Sequence, residues 1–329
     1  MLAARLYAPW KLVVEDVERP EPPRGWALIK SIAVGICGTD KAFFTGTYPL
    51  FKTPIVLGHE VVGVVEEGPN NLKGNLVTVE INFPCWRCYY CRSGLYTHCP
   101  YKRTLGIDFD GGLAEYFIAP FEALHLVDGL DPVEATEIEP LAAVLNAVGQ
   151  VTPTPNIKSA VIGSGNLAVL TCQVLKLMGV DHIAVVRPDS PKAKHLAGLG
   201  VDTVPLQDVA AHAAKNTPEG LGFDIIFECS GDPSALNLAI RIAKPRGIIH
   251  LKSTPGLPFT VDMTQAVVKE LRIIGTRCGG FNEFSKAVEL LKAGKVKPVI
   301  TSVFKGIENA EKALKKSLER KEVKAIIEL

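Results

Sequence analysis

The chain has almost no excess of charge of either sign. Its 36 lysines and arginines face 35 aspartates and glutamates, for a formal net charge of +1. A nucleic-acid groove or an anionic membrane surface needs a basic excess, so neither is expected as a partner. Long hydrophobic runs are missing as well: no stretch reaches the roughly 18 apolar residues of a membrane span. Met1 to Trp10 lead into no long apolar segment with a small-residue cleavage site. No secretory leader is therefore expected, and the expected compartment is the cytoplasm. Internal repeats and low-complexity tracts are absent too.

What is present is an ordinary globular composition, 47% apolar and 22% charged over 329 residues, long enough to suggest two domains. From Leu12 to about Pro120 short apolar runs are broken by Gly and Pro, as in Trp26 to Val34, Val61 to Val65 and Leu76 to Glu80. They predict a mostly β domain. A Pro-rich connector follows Val148, around Gln150 to Pro155. Beyond it strands and helices alternate to about residue 280, the pattern of a parallel sheet with crossovers. The stretch 297–329 reads as strand, helix, strand, with a solvated basic-acidic face from Glu311 to Lys324.

Eight cysteines in a reducing compartment point to metal rather than disulfides. Cys37, in Gly35-Ile-Cys-Gly-Thr-Asp40, and His59, in Gly58-His-Glu60, bring a soft sulfur and an imidazole into one region. Thr39, Asp40 and Glu60 stand beside them. Such donors favour zinc, and two of them cannot close a tetrahedral site. Cys85, Cys88, Cys91 and Cys99 form C-x2-C-x2-C-x7-C, a spacing that closes a four-sulfur site with no room for substrate. Such a site pins a loop that lacks its own core. Cys172, Cys229 and Cys278 read as buried small hydrophobes.

Helical apolar spacing from Leu141 to Val148 follows Pro140, and Glu139 stands just before it. Glu139 reads equally as a carboxylate favoured at a helix N-terminus or as a metal ligand. Next, an apolar strand runs into Gly163-Ser164-Gly165-Asn166-Leu167-Ala168 and a helix follows. This is G-x-G-x-x-A in the strand-turn-helix context of dinucleotide binding. Gly163 permits the tight turn, Gly165 lets backbone approach a pyrophosphate, and Ala168 allows close packing. About twenty residues on, where an acidic residue would hold the ribose of NAD, the second strand ends at Arg187. Arginine matches a 2′-phosphate and favours NADP; Asp189, two residues later, keeps NAD open.

Together these motifs resemble the zinc-dependent medium-chain dehydrogenases/reductases, which include alcohol, polyol and threonine dehydrogenases. The resemblance covers essentially the whole chain. It implies an α/β protein with a GroES-like, mostly β catalytic domain over residues 1–150, completed by 282–329. A Rossmann doubly wound coenzyme domain would occupy residues 151–281. It implies two zinc ions, one structural and one catalytic, with Cys37, His59, Glu139 and, exchangeably, Glu60 at the catalytic one. Thr39 matches the hydroxyl that takes the alcohol proton. Many relatives carry a histidine five residues after the catalytic cysteine; here that position is Ala42, so a relay would end on the cofactor ribose and water or use Lys41.

The expected reaction is hydride transfer between an alcohol or ketone and NAD(P), with a homodimer or tetramer paired near Leu271 to Gly275. Phe43, Phe44, Ile81, Leu105 and Ile107 are expected along an apolar pocket, favouring secondary or bulky hydrophobic substrates, with Asn82 adjacent. Polyol, sugar or threonine oxidation is the alternative within the family. A zinc-free quinone or enoyl reductase would lack Cys37 and His59. A zinc-thiolate redox sensor that binds nucleotide would have no use for an open metal site.

Overall fold

Trp26–Gly35 is the strand on which the first sheet is built. The structure, a computed structural model, describes residues 1–254 and 256–329. Trp26–Gly35 pairs antiparallel with Glu60–Glu67, with Tyr116–Pro120 and, at its carboxyl end, with Ala325–Glu328. The sheet has seven strands, running outward through Leu76–Val79 to Leu124–Leu126 on one side and to Ser302–Lys305 on the other. Gly35 ends the central strand for a steric reason. A Cβ there would stand 2.6 Å from Glu60 Oε2 and 2.8 Å from Lys324 Cε, so only glycine lets those two side chains meet across it.

The second sheet has six parallel strands, in the spatial order Thr203–Pro205, Asp181–Val186, Lys158–Ile162, Phe223–Glu228, Ala243–Leu251, Arg272–Gly275. In chain order this is 3-2-1-4-5-6, the doubly wound arrangement. Its inner strands are apolar on both faces because helices cover both sides. The order reverses between Lys158–Ile162 and Phe223–Glu228, and ligands bind outside the carboxyl ends at such a reversal.

The helix Ile138–Val151 joins the two sheets. Its Leu141, Ala142, Val144 and Val148 share one core with Val161, Val169 and Leu170 of the parallel-sheet unit and with Phe284 and Leu291 of the helix Phe281–Lys292. It begins three residues before the periodic run, so Glu139 lies inside the first turn rather than ahead of it. Pro140 is compatible with that start, because the first N–H groups of a helix have no intrahelical partner.

Other differences have local causes. The helix Ala235–Ile242 begins two residues after Pro233, because Asp232 Oδ1 accepts from the Ser234 N–H at 3.0 Å and holds a turn there. The expected solvated face to Lys324 stops earlier. Glu322 and Lys324 are buried, with Glu322 accepting from Thr301 and Ser302 hydroxyls. Phe43, Phe44 and Leu105 are fully buried in the core of the first sheet, so they do not line a pocket. Among the described residues no helix is long and apolar enough to cross a membrane.

Candidate functional site

Cys37 caps the helix Gly38–Thr45, and its N–H donates to Asp40 Oδ2 at 2.8 Å. This local loop holds the thiol at the sheet edge. His59 follows Gly58 and precedes the strand that starts at Glu60. One donor atom each from Cys37, His59 and Glu60 lies within 4.8 Å of the others. Asp40 Oδ1 stands 3.7 Å from His59 Nδ1, an ion-pair separation too long for a hydrogen bond. His59 Nδ1 is buried and has no hydrogen-bond partner among the described residues. A thiol, an imidazole and a carboxylate gathered this way fit zinc.

The field at this point is negative. Burial opposes protonation of His59, but Cys37, Asp40 and Glu139 outweigh it and hold its pKa well above the ordinary value. Burial pushes the Glu139 carboxyl up to about 7, with His59 opposing that shift. Glu139 lies outside the 4.8 Å group but acts on His59 by its charge. Thr39 sits on the same turn as Cys37, with Oγ1 4.0 Å from the sulfur.

Glu60 is not free. It forms a buried ion pair with Lys324, and Lys324 also lies 3.0 Å from Glu137 Oε1. Glu137 Oε2 in turn accepts from Asn166 Nδ2 at 2.7 Å. A continuous polar path therefore runs from the candidate metal centre to the first residue of the helix Asn166–Leu177, which opens the dinucleotide fingerprint.

In that fingerprint Gly163 has φ +130°, and a Cβ there would stand 3.1 Å from the Cys229 backbone, so the turn packs tightly on the next strand's loop. Gly165 has open space within 4 Å where a Cβ would point, as a pyrophosphate cradle needs. Ser164 Oγ is 3.1 Å from Ser190 Oγ, Leu167 lies in the first helical turn, and Ala168 is fully buried. Arg187 is the first residue beyond the strand Asp181–Val186, exposed, with Nη2 2.8 Å from Asp232 Oδ2. Lys192 is nearby: burial pulls its pKa down to about 8, and the charges of Lys41 and Arg187 act in the same direction.

The remaining cysteines separate as expected. Cys85, Cys88, Cys91 and Cys99 form a second cluster, with Sγ–Sγ distances of 3.5 Å for 88–91, 3.7 Å for 88–99 and 3.6 Å for 85–99. Four sulfurs at about 2.3 Å from a tetrahedral zinc stand roughly 3.8 Å apart, so this cluster fits that ion. Backbone N–H groups of Arg87 and Cys88 help lower the Cys85 pKa to about 6. Cys172, Cys229 and Cys278 are buried.

Sequence reading did not single out Lys324, Glu137, Asp232 or Lys192. Lys324, Glu137 and Asp232 are common charged residues with partners distant in the chain, up to 264 positions for Lys324 and Glu60, and Lys192 belongs to no motif.

Comparison with known proteins bears on this geometry. The alcohol dehydrogenase GroES-like domain family matches residues 23–129, and the zinc-binding dehydrogenase family matches residues 167–293. L-threonine 3-dehydrogenase of Pyrococcus horikoshii is 32% identical over 314 residues, covering 91% of this chain and 89% of that protein. A zinc-binding dehydrogenase of Sinorhizobium meliloti 1021, solved with NADP, superposes with a TM-score of 0.89 at 27% identity, covering 100% of this chain and 99% of that one. An alcohol dehydrogenase of Escherichia coli CFT073, solved with NADH, gives the same TM-score, identity and coverage. The chain therefore belongs to the zinc-binding alcohol dehydrogenase family, oxidoreductases that act on CH–OH groups.

Proposed function

We propose that the chain is a zinc-dependent dehydrogenase of secondary alcohols that prefers NADP. Cys37, His59, Glu60 and Glu139 would hold the catalytic zinc, and Cys85, Cys88, Cys91 and Cys99 a structural one. The observation that carries the reading is the convergence of Cys37, His59 and Glu60 within 4.8 Å, joined through Lys324 and Glu137 to the fingerprint helix. When bound, zinc supplies the Lewis acidity that lowers an alcohol's pKa, and the nicotinamide supplies the hydride acceptor.

The chain's own residues do the rest. Asp40 acts on His59 by its charge, and Thr39 takes the substrate proton. With Ala42 where many relatives have histidine, the proton leaves by the cofactor ribose and water or through Lys41, whose charge is felt by Cys37, Glu60 and Asp40. Arg187 and Lys192 place two cations just beyond the second strand, and a 2′-phosphate is a stronger partner for Arg187 than the half-buried Asp232. Both cofactors occur among the solved neighbours, so the preference for NADP rests on these two side chains. The relative named for threonine keeps a threonine or polyol substrate within the same site chemistry. We also place a homodimer contact at the free edge of the parallel sheet, Arg272–Gly275.

Metal analysis with a turnover assay tests the reading. Wild type should carry two zincs per chain and oxidise secondary alcohols. Cys37→Ala should carry one, still bind dinucleotide, and lose at least about a thousandfold in turnover, the scale of a Lewis-acid contribution of several kcal/mol. Near-wild-type hydride transfer with the zinc lost would overturn it, and a single wild-type zinc would favour a thiolate sensor.

A further inference from the structure

Lys252 is the first residue beyond the strand Ala243–Leu251, on the carboxyl edge of the parallel sheet. Its side chain is 8% exposed. Burial pulls its pKa down, and Glu139 and Cys37 of the candidate metal centre are among the groups that oppose that shift. Its Nζ donates to the Arg277 carbonyl at 2.7 Å. Among the described residues no carboxylate lies within 4.0 Å of it.

The contrast with Lys324 is instructive. Both ammonium groups are buried, but among the described residues Lys324 touches two carboxylates whereas Lys252 has one carbonyl and two uncommitted N–H donors. A buried charge is costly unless it is paired. Once Glu139 and Cys37 commit their charge to a cation, Lys252 has no anion left to face.

A second group points the same way. Asn82 is 2% exposed; its Nδ2 lies 2.8 Å from Cys278 Sγ, and its Oδ1 has no partner among the described residues. Cys278 follows Arg277, whose carbonyl accepts from Lys252 Nζ. Phe43, Phe44 and Leu105, which could have made an apolar wall, are spent in the core.

We propose that Lys252 is a specificity-determining residue whose ammonium binds an anionic oxygen group, a carboxylate or phosphate, carried by the alcohol close to its carbinol carbon. The proposal rests on the dehydrogenase reading of the site and narrows it to secondary alcohols with a nearby anion. Asn82 Oδ1 accepts from a hydroxyl of the same substrate.

The test compares three secondary alcohols, 3-hydroxybutyrate, glycerol 3-phosphate and 2-butanol, in wild type, Lys252→Met and Lys252→Arg, with zinc content measured for each. Wild type should favour one of the two anions over 2-butanol, and which one identifies the anionic group. The ratio of kcat/KM for that anion to kcat/KM for 2-butanol should fall about ten- to a hundredfold in Lys252→Met, the worth of a charge-assisted bond, and recover in part in Lys252→Arg. Calorimetry on the zinc- and cofactor-loaded protein adds a readout without turnover. Isobutyrate should bind wild type more tightly than its neutral counterpart isobutyramide, and that preference should vanish in Lys252→Met.

An unchanged ratio with both rates lowered alike would make Lys252 a support for Glu139 only, and would overturn the proposal. So would a wild type that favours 2-butanol, or that binds isobutyrate and isobutyramide equally. If wild type oxidises no alcohol, the dehydrogenase reading falls instead. The isobutyrate measurement then decides Lys252 alone: a preference lost in Lys252→Met upholds it and no preference overturns it.

Discussion

Lys324 shows how much one side chain carries at the candidate metal centre. It sits between Glu60 and Glu137 at 2% exposure, in space that Gly35 leaves open. Removing one partner of a buried ion pair leaves an uncompensated charge and costs about 3–5 kcal/mol. Lys324→Met should lower unfolding stability by that order in urea, and adding Glu137→Gln should restore part of it. A loss below about 1 kcal/mol would mean that solvent reaches the pair.

The proposed cofactor preference rests on Arg187 at the same scale. Arg187→Ala should weaken NADP binding about ten- to a hundredfold, as expected for one charge-assisted bond, and leave NAD nearly unchanged. Equal losses for both, measured as dissociation constants, would remove the phosphate reading. Arg187 could be singled out in the sequence from its place behind a fingerprint. Lys324 could not, because a lysine in a segment rich in Lys and Glu looks solvated until the strand Ala325–Glu328 pairs with Trp26–Gly35.

Among elements, the loop from Cys85 to Cys99 depends most on something other than packing. It contains only a four-residue helix, Tyr89–Arg92, and a single turn at Tyr96–His98, neither with a buried residue. Tyr96 anchors it, donating to Glu80 Oε2 at 2.5 Å and accepting from the Phe281 N–H at 2.5 Å. Cys88→Ser, or a chelator, should lower the melting temperature by roughly 3 °C or more, the shift that about 2 kcal/mol produces at this size. A melting temperature unmoved by both would mean that no metal holds the loop. This cluster was readable because its ligands are close in sequence and their spacing alone specifies the geometry. The helix Ile138–Val151 was read short because its first turn is polar or proline-bearing, and periodicity is silent there.

Across the whole molecule, the parallel sheet ends in an uncovered strand, Arg272–Gly275, next to the helix Met263–Val268. Val267 and Val268 are 71% and 72% exposed on that helix. An open edge beside exposed valines suits pairing with a second copy. Val268→Asp should shift the protein toward monomer in light scattering while leaving dinucleotide binding in place; a wild type already monomeric would remove the contact.

The ion pair between Glu60 and Lys324 also sets an order of events during synthesis. Its partners are 264 residues apart, so at roughly 5–20 residues per second the ribosome needs about 13–50 s to supply the lysine after the glutamate. Throughout that interval Cys37, His59 and Glu60 stand beside a strand edge that Ala325–Glu328 has yet to cover. The candidate metal centre would thus be among the last parts of the nascent protein to be finished, with its thiol and imidazole left open through a long stage of the chain's growth.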